Sequence, residues 1–198
     1  MLPAPQTREA VIIDPGGDEE ALVERARKRG FKITTIINTH GHADHVCGNQ
    51  KVQELTGARI VIGRGDVELL SGDRAQYFAS LGFTPSPPPD RLVDDGETIP
   101  CGRLELQVLA TPGHSPGGIC LCLADNLFTG DTLFVGSVGR TDLPGSSLDD
   151  LLASIGSKLL TLPGETIIWP GHRYGPTPSS TIAQERETNP FITDFISR

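Results

Sequence analysis

The sequence predicts an α/β protein, and two observations carry that prediction. Strand-like and helix-like segments alternate along the chain, the order that lays helices over sheet faces. All five histidines stand on turns just after strand-like runs, so the most reactive side chains gather where strands end. The 198 residues suffice for one domain, spanning 1–198, with a core that buries most of its apolar surface.

The elements follow in order. Residues 9–14, E-A-V-I-I-D, read as a strand ended by P-G-G. A helix is expected over 18–29, with Asp18 as N-cap, basic residues in its last turn and Gly30 as its stop. Residues 33–38, I-T-T-I-I-N, form a β-branched run suited to a buried strand. A helix over 46–55 ends at Gly57, and R-I-V-I at 59–62 is the next strand. Residues 71–98 read as a loop that could flank a pocket. The S-P-P-P-D within it excludes helix and central strand. Strands follow near 103–110, 117–123 and 126–129. Ser147 with Asp150 three residues on has the pattern of a capping box. E-T-I-I-W at 165–169 is read as the last strand, and Asn189-Pro190 opens a terminal helix with proline at its first position.

Composition narrows the function classes. Hydrophobic residues make up 37% and charged residues 21%, the balance of a globular chain. A net charge of −8 argues against a nucleic-acid partner, whose affinity rests on Lys/Arg contacts to phosphates. No apolar run is long enough for a membrane span, and M-L-P-A-P-Q-T-R-E does not read as a signal peptide. The four cysteines lack C-x-x-C spacing and read as reduced core thiols. A cytoplasmic location with no membrane partner is therefore expected.

The chemistry concentrates in N-T-H-G-H-A-D-H-V-C-G-N at 38–49, which holds three of the five histidines. In loop backbone, residues two apart point the same way, so His40 and His42 can converge on one point. Asp44 and His45, at the turn into the next helix, can face a second point nearby. Imidazole and carboxylate together suit zinc, or iron and manganese. Further ligands must come from elsewhere. His114 in T-P-G-H, Asp131 in T-G-D and His172 in P-G-H each follow a strand-like run.

T-H-G-H-A-D-H, T-P-G-H, T-G-D and P-G-H, in this order, resemble the metallo-β-lactamase superfamily from about residue 11 to the C-terminus. The resemblance implies a four-layer αβ/βα sandwich of two mixed β-sheets with helices on the outer faces. It also implies the ligands of two divalent metal ions, expected to be zinc, with iron or manganese as alternatives. His40, His42 and His114 would hold one ion, Asp44, His45 and His172 the other, and Asp131 would bridge them. Such a pair lowers the pKa of a water towards neutrality. Asp44, Asp131 and one hydroxide leave two zinc ions with roughly one net positive charge, enough to polarise a carbonyl.

Within the superfamily, L-F-T-G-D-T-L-F-V-G-S-V-G-R-T-D-L-P-G and S-T-I-A-Q-E-R-E-T-N-P-F are similar to small bacterial hydrolases of the glyoxalase II-like branch. That likeness implies hydrolysis of a glutathione thioester such as S-lactoylglutathione by metal-bound hydroxide. Asp44 and Asp131 would be the catalytic carboxylates. Persulfide dioxygenases of the same branch share G-R-T-D and a tyrosine two residues after the last histidine. They bind a single iron at the positions of His40, His114 and Asp131. A non-catalytic metal-binding protein is the third reading. Arg140 could hold a substrate carboxylate or pair with Asp142 or Asp149. Tyr174 could donate to a glutathione group or pack. Arg173, read first as a solvated loop charge, completes the candidate substrate contacts. The helical C-terminal domain of larger glyoxalase II enzymes is expected to be absent, and the first strands read as short or missing. A sheet edge left open there would be covered by a second copy or remain a liability, so monomer and homodimer are both expected states.

Overall fold

The computed structural model describes residues 1–196. It contains two compact units, residues 1–93 with 98–106, and residues 94–97 with 107 onward. The expected class is found, with two mixed β-sheets and helices.

The first unit is built on β1 (Leu2–Ala4), β2 (Glu9–Ile13), β3 (Lys32–Asn38), β4 (Arg59–Gly63) and β5 (Arg91–Val93), hydrogen-bonded in that order. β1 runs antiparallel to β2, and the remaining pairs are parallel. Parallel strands are covered on both faces and need continuous apolar runs, which I-I and I-V-I supply. Helix α1 (Glu19–Lys28) contributes Val23 and Ala26 to this core. Helix α3 (Asn49–Thr56) contributes Val52, beside Ile36 and Ile60. Because β2, β3 and β4 are parallel, their carboxyl ends share one edge, the usual place for a site in such a sheet. Asp14 and the histidine loop both stand there.

Several elements differ from the sequence reading, each for a physical reason. Asp18 occupies the N-cap position of α1 in the left-handed region (φ 57) and makes no side-chain cap bond. The helix expected over 46–55 is two pieces, a single turn α2 (Ala43–Val46) and then α3, parted at Cys47-Gly48. At Gly48 a Cβ would lie 2.1 Å from the Pro15 carbonyl oxygen, and its N–H donates to that oxygen at 2.8 Å. The backbones meet there, which interrupts a continuous helix. The loop expected over 71–98 contains helix α4 (Gly72–Ser80) and β5, preceded by a 3-10 helix at Arg64–Leu70. Among its described residues α4 is half-buried or exposed throughout, so it makes no deep core contact that would require it. The S-P-P-P stretch is neither helix nor strand. At the N-terminus, Leu2 pairs with Val11 despite the flanking prolines. Pro3 is tolerated because β1 is an edge strand.

The second sheet runs β13 (Ser180–Thr181), β12 (Ile167–Pro170), β9 (Asn126–Gly130), β8 (Ile119–Leu123), β7 (Leu104–Ala110) and β6 (Thr98–Cys101). β12 is therefore not the last strand. It lies parallel to β9, while β8 is antiparallel to both of its neighbours. Cys120, Leu127, Leu151, Ile155, Ile168 and Ile182 share one core. Helix α5 (Leu148–Ser154) is capped as expected, with the Asp150 N–H donating to Ser147 Oγ at 3.2 Å. A hairpin of β10 (Leu133–Phe134) and β11 (Ser137–Val138) turns at Gly136, whose φ of 73 favours glycine. Helices α6 (Ile182–Thr188) and α7 (Pro190–Phe195) end the described chain, with Asn189 Oδ1 accepting from the Phe191 N–H at 3.1 Å. Among the described residues no helix is long and apolar enough to cross a membrane.

Candidate metal centre

In the first unit β3 delivers the histidine loop to the sheet edge. His40 and His45 are buried. Their ring centroids lie 4.1 Å apart, and His40 lies 4.7 Å from His42, edge to face. Asp44 is half exposed, with Oδ2 3.8 Å from His45 Nε2. Gly16 lets the β2–α1 turn close over this loop. A Cβ there would lie 1.8 Å from the Asp44 carbonyl oxygen.

Asp14, which the sequence reading passed over as the end of a strand, organises these groups. Its Oδ1 accepts the Thr39 N–H at 2.7 Å. Its Oδ2 accepts the Thr39 hydroxyl at 2.6 Å and faces His45 Nδ1 at 3.0 Å. A carboxylate only accepts, so His45 carries its proton on Nδ1 and presents a lone pair at Nε2. The Thr39 hydroxyl, whose hydrogen is directed at Asp14, accepts from His40 Nδ1 at 3.1 Å. His40 is thereby set in the same tautomer. Ligand atoms of Asp14, His40 and His45 lie within 4.8 Å of one another. Asp14 already serves three donors, which makes it the orienting carboxylate behind the imidazoles. A second buried carboxylate, Asp66, accepts the Gly41 N–H at 2.8 Å through Oδ2. The P-G-G that follows Asp14 was the available signal in the sequence; the structure adds a positive φ of 47 there.

In the second unit, His114 Nδ1 lies 2.8 Å from the Arg140 carbonyl oxygen. A carbonyl accepts, so again Nε2 is left with its lone pair. That nitrogen is 3.7 Å from Asp131 Oδ2, and His172 Nε2 is 3.5 Å from the same oxygen. These separations are too long for hydrogen bonds. Two ligand atoms about 2.0–2.2 Å from a tetrahedral ion stand roughly 3.3–3.6 Å apart. Neutral His114 turns a lone pair toward the Asp131 carboxylate, an arrangement that a cation between them would stabilise, so the donor set fits a divalent metal. Gly139 completes the arrangement. A Cβ there would lie 1.9 Å from the Asp131 carbonyl oxygen and 3.1 Å from His114 Nδ1.

The candidate substrate residues are more exposed. Arg140 pairs with Asp142 through Nε and Nη2 at 2.6 and 2.7 Å. That guanidinium holds the Asp142 carboxyl down at about 2, while Asp142 raises Arg140 further. Tyr174 is 70% exposed. It stacks on His172 with centroids 5.2 Å apart and meets Phe134 edge-on at 5.1 Å. Arg173 is exposed. All four cysteines are free thiols. Burial pushes Cys120 up to about 11 and raises Cys47, Cys101 and Cys122 as well.

The chain is similar to known proteins over most of its length. The family model described as the metallo-beta-lactamase superfamily matches residues 6–172. The chain is 35% identical over 192 residues to the mitochondrial persulfide dioxygenase ETHE1 of Homo sapiens, across 95% of this chain and 68% of that one. The solved structure of BLEG-1, a B3 metallo-beta-lactamase, superposes with a TM-score of 0.85 at 36% identity, across 94% of this chain and 90% of that one. TTHA1623 in a di-iron-bound form superposes with a TM-score of 0.79 at 36% identity, across 90% of this chain and 87% of that one.

Proposed function

Because the chain belongs to the metallo-β-lactamase superfamily, we propose that it is a dinuclear metallohydrolase cleaving a glutathione-type thioester. The observation that carries this reading is Asp131 Oδ2, flanked by the Nε2 atoms of His114 and His172. One carboxylate oxygen between two imidazoles suits a bridge between two ions. His40, His42 and His114 would hold the first, and Asp44, His45 and His172 the second. The di-iron-bound form of TTHA1623 supports a two-metal occupancy and makes iron a candidate beside zinc.

When bound, two divalent ions supply Lewis acidity and a water that ionises near neutral pH. The chain's own residues do the rest. Asp14, Thr39 and the Arg140 carbonyl fix the tautomers of His45, His40 and His114, so that each of the three keeps its lone pair on Nε2. Asp44, half exposed, can accept a proton and pass it to solvent. A thiolate leaves readily and needs no general acid. Arg140 would face a substrate carboxylate with its remaining guanidinium N–H groups, and Tyr174 would donate to a glutathione amide. Arg173, exposed between His172 and Tyr174 in the sequence, is the third proposed substrate contact. The substrate is a small thioester, and the expected absence of nucleic-acid and membrane partners is part of the same proposal.

The likeness to human ETHE1 favours a second reading, an iron-dependent persulfide dioxygenase that uses His40, His114 and Asp131. The deciding experiment is S-lactoylglutathione hydrolysis by zinc-loaded protein, with Asp131→Ala as the blank. It is run beside oxygen uptake by iron-loaded protein given glutathione persulfide. Hydrolysis lost in the blank supports the hydrolase. Oxygen uptake without hydrolysis overturns it in favour of the dioxygenase. The likeness to BLEG-1 adds a β-lactam to the substrate panel.

A further inference from the structure

Behind the histidine loop lies a closed amide network that the proposed chemistry does not use. Asn38 ends β3, Asn49 begins α3, and both are fully buried. Asn49 Nδ2 donates to Asn38 Oδ1 at 2.8 Å, and Asn38 Nδ2 donates to Asn49 Oδ1 at 3.2 Å. The two amides pair head to tail. Each has one further N–H. That of Asn38 goes to the His45 carbonyl oxygen at 3.3 Å, and that of Asn49 to Ser86 Oγ at 2.8 Å. Ser86 Oγ in turn donates to the Pro87 carbonyl at 2.8 Å. The outer partners fix which end of each amide is nitrogen. Flipping both would set Asn38 oxygen against the His45 carbonyl oxygen.

All four amide N–H groups are therefore used, in a place where a lost bond is costly because no water replaces it. His45 is gripped twice, at its ring by Asp14 and at its backbone carbonyl by Asn38. The second grip reaches through Asn49 to the proline-rich segment. That segment is anchored at its far end too, where the Asp90 N–H donates to the Ile60 carbonyl and Asp90 Oδ2 accepts the Ile60 N–H, both at 2.8 Å.

We infer that Asn38 and Asn49 are positioning residues for His45, and that Ser86 ties the proline-rich segment into the same device. The inference rests on the proposed role of His45 as a metal ligand. Its test has one readout that does not depend on that role. Asn38→Leu and Asn49→Leu keep the branched heavy-atom shape and remove the amides. Val52→Ala truncates the core on the same helix and serves as the control for general loosening. Ser86→Ala removes only the outer link.

Histidine 15N resonances of the metal-free proteins are recorded first, at one pH. The His45 ring signals are expected to move in both leucine variants, less in Ser86→Ala, and to stay in place in Val52→Ala. Zinc affinity is then measured by chelator competition. One of two zinc equivalents is expected to weaken about 10–100-fold in the leucine variants, the usual effect of losing an outer partner, while the other keeps its affinity. His45 signals that stay in place, or that move as much in Val52→Ala, overturn the inference. Should the leucine variants fail to fold, the comparison of Ser86→Ala with Val52→Ala decides in the same terms. A wild-type protein that takes up only one zinc overturns the dinuclear reading instead, and the His45 signals still judge this inference.

Discussion

Asp14 offers the sharpest test of how the site is held. In Asp14→Ala three donors lose their acceptor, the Thr39 N–H, the Thr39 hydroxyl and His45 Nδ1. Only the last acts directly on a ligand. A hydrogen bond to a charged group is worth about 1.5–3 kcal/mol, and about 1.4 kcal/mol is tenfold in affinity. With an Asp14 side chain only 11% exposed, little of this is recovered from water. Zinc affinity should therefore fall by roughly ten- to a hundredfold. Alanine also meets strain at this positive φ of 47, which Asn tolerates better. Asp14→Asn separates the two effects. It keeps the backbone comfortable but cannot accept from all three donors, so its loss should sit near the lower end. The assay is chelator competition with zinc, with histidine 15N spectra to read the His45 tautomer. Zinc affinity within threefold of wild type in Asp14→Ala, with His45 still protonated at Nδ1, would refute the reasoning.

Four further outcomes are expected. His114→Ala should lower metal content and abolish turnover, and normal turnover with full metal would remove it from the ligand set. Gly139→Ala should lose metal uptake, because its Cβ would stand 1.9 Å from the Asp131 carbonyl oxygen; metal analysis after dialysis reads this directly. Arg140→Ala should raise KM for glutathione thioesters and leave metal content unchanged. The Asp142 carboxyl is lowered from 3.8 to about 2, so the Arg140–Asp142 pair is complete above the unfolded value and is lost only as pH falls through about 2. The KM ratio of mutant to wild type should therefore not change between about pH 5 and 8 on account of that pair. Finally, Cys120, fully buried and raised to about 11, should resist iodoacetamide at pH 8 in the native protein and react in urea, as read by mass spectrometry.

Much of this was legible because the relevant signals are local. Ser147 and Asn189 announce their helices by side chains that reach backbone two or three residues on. The histidine loop is visible as a cluster, and His114, Asp131 and His172 by their places after strands. What escaped depends on contacts distant in sequence. Asp14 looked like a strand end because its partners are 25 and 31 residues away. The break before α3 follows from a backbone approach at Pro15, which no helical periodicity encodes. Asp18 has the chemistry of a cap but a φ that prevents it. Among its described residues α4 is half-buried or exposed, so no core position marks it in the sequence.

The E-R-E-T-N-P stretch has a consequence for redesign. Glu185 Oε2 accepts the Gly136 N–H at 2.8 Å, and Asn189 Nδ2 donates to the Ser137 carbonyl at 3.0 Å and to Glu185 at 2.9 Å. The turn of the β10–β11 hairpin is thus moulded by the corner between α6 and α7. Two residues past β11 comes the Arg140 carbonyl that sets the His114 proton. Anyone grafting a relative's hairpin to change substrate range is therefore moving half of an interlocking part. Hairpin and helical corner form one cassette, to be exchanged together, so that a library confined to residues 133–140 samples turns that the rest of the chain was never shaped to receive.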